Sequence, residues 1–154
     1  MKFAAVAWDI DGTLVDSEPL HLEALVAACR LFDVDISDLP NGKFVSLNQF
    51  DVWTVLKVRF PPGTDRTDLI SAINLYYGDH AQLCVAAMPG AVNTIRALHQ
   101  AGIPQIAVSN SNRIIVDANL NALGLEQVFT RSVSLNDVAR GKRIRCPIGW
   151  LHSI

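Results

Sequence analysis

The stretch Trp8-Asp9-Ile10-Asp11-Gly12-Thr13-Leu14-Val15-Asp16-Ser17-Glu18 decides how this chain of 154 residues is read. A compact apolar run, Phe3 to Trp8, precedes it and reads as a buried strand. The run stops at Asp9, and Gly12 supplies the turn. Two carboxylates at i and i+2 point the same way if strand geometry continues through them. Two close carboxylates repel unless a cation or a shared proton intervenes. A hard, oxygen-preferring cation such as Mg²⁺ meets that need. One carboxylate can then attack phosphorus, and the other can serve as acid to the leaving oxygen and as base to water. An isolated D-x-D-G reads equally as a solvated turn, so the weight rests on the longer string.

The rest of the chain supplies a scaffold for such a site. Leu22, Leu25, Val26, Cys29 and Phe32 recur at helical spacing. So do Phe50, Trp53, Leu56 and Phe60, and then Leu69, Ile73, Tyr76 and Tyr77. Residues 16–87 therefore read as three or four helices. The rhythm then changes. Pro89-Gly90 opens a helix that Gly102 closes, and Ile106-Ala107-Val108 is a short strand ending at Ser109-Asn110. Asn112 is placed to cap a helix that stops at Gly124, and Phe129 to Val133 reads as a third strand. This alternation implies an α/β fold with a Rossmann-like parallel sheet, interrupted after its first strand by a helical insertion. In such sheets ligands bind beyond the carboxyl ends of the strands, where Asp9, Asp11 and Ser109 fall. The helix after Asn112 would aim its N-terminus at the same place, which favours an anion.

Composition narrows the field. Half the residues are hydrophobic, 18% are charged and the net charge is −2, a globular balance with no bulk attraction for nucleic acid or anionic membrane. Apolar runs fall short of the roughly 20 residues of a membrane span. Acidic residues interrupt the N-terminal apolar run, which argues against a signal segment. Cys29, Cys84 and Cys146 lack metal-like spacing and suit a reducing, cytoplasmic setting, with Cys29 and Cys84 expected as buried small hydrophobes. Trp53 and Phe50 are expected to serve packing.

The string from Trp8 to Glu18 resembles the first motif of the haloacid dehalogenase superfamily almost letter for letter. Val108-Ser109-Asn110 resembles the second motif, and Lys142, after the loop SLNDVARG, resembles the third. The insertion and the segment MPGAVNTIRALHQAGIPQIAVSNSNR are similar to the β-phosphoglucomutase and phosphoglycolate phosphatase branch. The resemblance implies a core of residues 1–15 and 88–142 with a cap of residues 16–87. It implies a Mg²⁺-dependent phosphatase acting on a small phosphorylated metabolite, such as a sugar phosphate, through an aspartyl-phosphate. Asp9 would be nucleophile, Asp11 acid/base, and both metal ligands. Ser109, Asn110 and Gly12 would bind phosphate, and Lys142 would neutralise charge. Glu18 and His21, where the first cap helix leaves the core, would face substrate. A sugar-phosphate mutase shares every one of these motifs. Dehalogenase chemistry is disfavoured, because phosphoryl-transfer members keep an aspartate at the place of Asp11.

The resemblance stops after Lys142. Residues 143–154 read RIRCPIGWLHSI where the family continues with lysine-proline and an amphipathic helix. Restoring one nucleotide in one reverse translation of Lys142 to Ile154 yields KPDPVPYRLAAQH, a family-like continuation. The tail is accordingly expected to be a frameshifted end. The later acidic motif that completes the metal shell would then be missing, leaving a catalytically impaired chain with weak metal binding and little turnover. The first strand would be an exposed sheet edge in a monomer or weak dimer. Sequencing the source gene beyond codon 142 is expected to reveal that continuation in a second frame; downstream DNA with no family-like sequence in any frame contradicts it.

Overall fold

A computed structural model describes residues 5–45 and 47–138; Lys142 and the 143–154 tail lie outside them. Strands β1 (Val6–Trp8), β4 (Gln105–Val108) and β5 (Arg131–Val133) form a parallel sheet in the order β1-β4-β5. Trp8 pairs with Ala107, and Val108 pairs with Val133. This register places Asp9, Ser109 and Ser134 at one end of the sheet, just past the last paired residues. β1 has a partner on one side only among the described residues. Ala7 is exposed and Val6 and Trp8 are half-buried, which departs from the buried strand that the apolar run suggests and fits the exposed edge that the resemblance implies.

The chain leaves β1 through a tight turn. The N–H groups of Thr13, Leu14 and Val15 converge on the Ile10 carbonyl at 2.8 to 3.2 Å. Gly12 closes the turn at φ +72°, a left-handed conformation that a residue with a Cβ rarely adopts, and donates its N–H to the Val15 carbonyl at 2.9 Å. Strand β2 (Val15–Asp16) then pairs antiparallel with β3 (Ala86–Ala87), so the chain segments entering and leaving the helical stretch are tied together.

Between them lie α1 (Glu18–Leu31), α2 (Gln49–Leu56) and α3 (Arg66–Cys84). Each starts for a local reason. Pro19 stands in the first turn of α1, Asn48 caps α2, and Asp65 and Asp68 form a reciprocal capping box on α3. Such a cap contributes about 1 kcal/mol. Their apolar faces meet in one cluster containing Leu20, Leu25, Leu56, Leu69, Ile73 and Tyr77. Trp53 packs on Phe60 with ring centroids 5.3 Å apart, while Phe50 is exposed with the Arg66 guanidinium over its ring.

Helices α4 (Ala91–Gln100) and α5 (Arg113–Ala122) connect the sheet strands. A second cluster, with Ile10, Leu14, Ile95, Ala107, Val116 and Leu120, lies on the sheet. Helix α5 serves both clusters: Ile115 packs with the insertion helices and Val116 with the sheet. It can approach α3 closely because Gly78 has no side chain; a Cβ there would lie 3.1 Å from Ile114 Cγ2.

Cys29 is buried, and burial pushes its thiol up to about 11. Cys84, expected in the core, is exposed, because it is the last residue of α3 and the helix has already passed its apolar neighbours. No helix among the described residues is long and apolar enough to cross a membrane.

Gln105 locks the sheet floor to its surroundings. It is 1% exposed, accepts from the Trp8 indole at 2.8 Å and donates to the Ile95 carbonyl at 2.9 Å. Gln105→Leu keeps the volume and strands both partners. Leaving buried polar groups unpaired costs about 1–3 kcal/mol each. The variant is expected to unfold at a clearly lower urea midpoint, and an unchanged midpoint would contradict this role.

Candidate active site

The carboxylate of Asp11 is the convergence point of the molecule. Its Oδ1 accepts from the Ser17 hydroxyl at 2.9 Å and from His21 Nε2 at 3.4 Å, with Asn119 Nδ2 at 3.5 Å. Its Oδ2 accepts from the hydroxyls of Ser109 and Ser111, both at 2.9 Å. These donors arrive from four places: the residue before α1, α1 itself, the loop after β4, and the middle of α5. The tight turn after Ile10 makes this possible by folding the chain back so that Ser17 stands next to Asp11.

Each partner is itself fixed. Ser17 is 1% and Ser109 3% exposed. The Ser109 hydroxyl also accepts the Ser111 backbone N–H at 2.9 Å, which holds the loop closed. The His21 ring lies 4.7 Å from the Tyr77 ring, and Tyr77 donates its hydroxyl to Asn119 Oδ1 at 2.8 Å. An ionised carboxylate only accepts, so His21 Nε2 carries a proton here.

Burial would push the Asp11 carboxyl upward. The hydrogen bond and charge of His21, with the hydroxyls of Ser109 and Ser17, outweigh it and hold the group well below the usual carboxylate range. Asp11 is therefore held as an anion, and these partners make it a weak acceptor of a proton as it stands. To donate one it must first be protonated and exchange some of these five partners.

The other residues singled out from the sequence surround this centre. Asp9 is exposed at the end of β1, and the fully buried Ile10 separates it from Asp11. Asn110 is exposed beside Ser109, and Glu18 is exposed in the first turn of α1. Gly12 shapes the turn as described. His21 and Ser109 are each brought into direct contact with Asp11. Ser111, Asn119 and Tyr77 were not singled out. The repeat of serine at 109 and 111, and an asparagine on the apolar face of α5, were the signals available.

Asn112 precedes α5 as expected, but its side chain does not cap the helix. It donates instead to Gln49 Oε1 at 2.6 Å and to Asn74 Oδ1 at 3.3 Å, linking the loop to α2 and α3. Asn136 takes over the capping task, accepting the Arg113 N–H at 2.8 Å. Arg113 in turn pairs with Asp117 and Asp137 and holds the turn that follows β5. Among the described residues no three His, Cys, Asp or Glu side chains form a metal cluster.

Stability linked to ionised Asp11 is present above the ordinary carboxylate pKa, about 4. It is lost as pH falls through that value toward the depressed folded one. Asp137 is held down to about 2 by the Ser134 N–H and hydroxyl and by Arg113, and behaves the same way. Asp11→Asn removes only the first contribution. Metal-free denaturant titrations from pH 7 to acid are expected to show a shallower stability loss in the variant. Parallel curves would contradict the assignment.

A family model described as haloacid dehalogenase-like hydrolase matches residues 3–145. The plasmid-encoded phosphoglycolate phosphatase of Cupriavidus necator is 28% identical over 143 residues, covering 90% of this chain and 61% of that protein. The phosphoglycolate phosphatase of Salmonella typhimurium is 26% identical over 158 residues, covering 89% and 63%. The chain thus spans less than two thirds of the length of these relatives. Among solved structures, a predicted phosphoglycolate phosphatase from Haemophilus somnus superposes with a TM-score of 0.81 at 18% identity, over 98% of this chain and 71% of that one. CbbY from Rhodobacter sphaeroides, in complex with phosphate, gives 0.77 at 20% identity, over 91% and 67%. These two likenesses speak for the fold, a parallel sheet flanked by helices. With the matched model spanning most of its length, the chain belongs to the haloacid dehalogenase-like hydrolases.

Proposed function

We propose that this chain derives from a Mg²⁺-dependent phosphomonoester hydrolase acting on a small phosphorylated metabolite of the sugar-phosphate kind. The observation that carries this reading is the anionic Asp11 at the carboxyl end of a parallel sheet, held by Ser17, His21 and Ser109 next to the exposed Asp9. Supporting it are the relatives named as phosphoglycolate phosphatases and a CbbY structure in complex with xylulose-(1,5)bisphosphate, 19% identical with a TM-score of 0.77. In this proposal residues 16–87 form a cap over a core of residues 1–15 and 88–142.

In the proposed reaction an Asp9 carboxylate oxygen attacks phosphorus. The bond from phosphorus to the leaving oxygen breaks, and that oxygen takes a proton from protonated Asp11. Water, deprotonated by Asp11, then attacks the aspartyl-phosphate, releasing inorganic phosphate and restoring Asp9. Ser109, Asn110 and Gly12 would steady the phosphoryl oxygens, Lys142 would offset their charge, and His21 and Glu18 would face the leaving group. The donor chemistry suits Mg²⁺, which takes oxygen ligands and is commonly held by one or two carboxylates with water and substrate phosphate. When bound it would reduce the repulsion between carboxylate and phosphoryl group. Asp9 would hold it, with Asp11 joining if its hydrogen bonds loosen.

A sugar-phosphate mutase would use the same groups and return phosphate to the substrate. Its motifs are common to both reactions, so product analysis decides between them. Phosphate release from a panel of sugar phosphates and phosphoglycolate, however slow, is expected to need Mg²⁺ and to fall at least about 10³-fold in Asp9→Asn. Isomerised product without free phosphate favours the mutase. Turnover indifferent to Asp9→Asn overturns the proposal.

A further inference from the structure

Asn119 stands in the middle of α5 and is fully buried, where a polar side chain costs stability unless its groups are paired. It has two neighbours. Its amide nitrogen lies 3.5 Å from Asp11 Oδ1, and its amide oxygen accepts from the Tyr77 hydroxyl at 2.8 Å. Only one polarity satisfies this chain. The Asp11 anion accepts and cannot donate, so it must face the NH₂ of Asn119. The amide oxygen then faces Tyr77, which must donate. Tyr77 is itself fully buried on α3, and its ring rests against His21, the other nitrogen donor to Asp11. A single tyrosine of the helical insertion thus touches both nitrogen ligands of the same carboxylate oxygen.

We propose that Tyr77 and Asn119 act in series as positioning residues, aiming the Asp11 carboxylate and tying its orientation to the seating of α3 on α5. Asn119 touches Asp11 itself, and Tyr77 reaches Asp11 only through Asn119 and His21. Their effect passes through Asp11, and Gly78, next to Tyr77, permits the close approach of the two helices that the arrangement needs. The kinetic consequence rests on the phosphoryl-transfer reading; the structural link does not.

The test uses the full chain. Tyr77→Phe keeps the ring against His21 and removes the hydroxyl that meets Asn119 and Ser17. Asn119→Leu keeps the volume and removes the amide. In nitrogen–proton correlation spectra, the Asn119 side-chain amide, assigned by its loss in Asn119→Leu, is expected to shift in both Tyr77→Phe and Asp11→Asn. On a substrate that the chain turns over, each single variant is expected to lower kcat about tenfold with KM unchanged, and the double variant to be no worse than either. Thermal melts confirm that the variants remain folded. An Asn119 amide signal indifferent to Asp11→Asn overturns the proposal, as does a kcat within about twofold of the parent in both single variants. If the parent chain releases no phosphate from any substrate, the hydrolase reading fails, and the spectra still decide this one.

Discussion

A carboxylate carrying full charge beside an apolar core is the constraint around which this molecule is arranged. Removing such a group from water without partners costs several kcal/mol. Asp11 avoids that cost by taking five donors, Ser17, His21, Ser109, Ser111 and Asn119. Meeting this demand sets the tight turn after Ile10, the start of α1, the conformation of the loop after β4 and the rotation of α5. The sheet and the helical insertion are therefore joined at one atom group as well as through their apolar surfaces.

Helix α5 transmits this constraint. Consecutive residues, Ile115 and Val116, enter different apolar clusters, so the helix cannot turn without disturbing both. Asn119, on the same helix, then has a fixed direction toward Asp11. The amides of Gln49, Asn74 and Asn112 add a second polar tie between the insertion and the loop carrying the serines. The candidate site is thus preorganised by the packing of elements far apart in sequence.

Much of this was legible from local signals. The strand, turn and aspartate pair, the second strand ending in Ser109, and the helical rhythm of the insertion each depend on neighbouring residues, and the fold class followed from their order. What was not legible depended on contacts across the chain. Whether the apolar Val6–Trp8 lies inside the sheet or at its edge is set by which strands pair; periodicity carries no such information, and the edge was expected only through the family resemblance. Asn112 has the composition of a helix cap, yet Gln49 and Asn74, more than 35 residues away, compete for its side chain. Cys84 is hydrophobic by type but falls where α3 ends. Asn119 and Tyr77 carry no local mark of their partnership. Lys142 lies outside the described residues, so its role stands on the resemblance of its motif.

The central claim is that phosphoryl groups pass through Asp9 at the end of the first strand. Chemical trapping addresses it directly. The chain would be incubated with Mg²⁺ and a small acyl phosphate donor, reduced with borohydride, digested and analysed by mass spectrometry. Reduction converts an aspartyl-phosphate to homoserine. The account predicts homoserine at Asp9 and nowhere else in the chain. Unmodified Asp9 under conditions that label another carboxylate would contradict it.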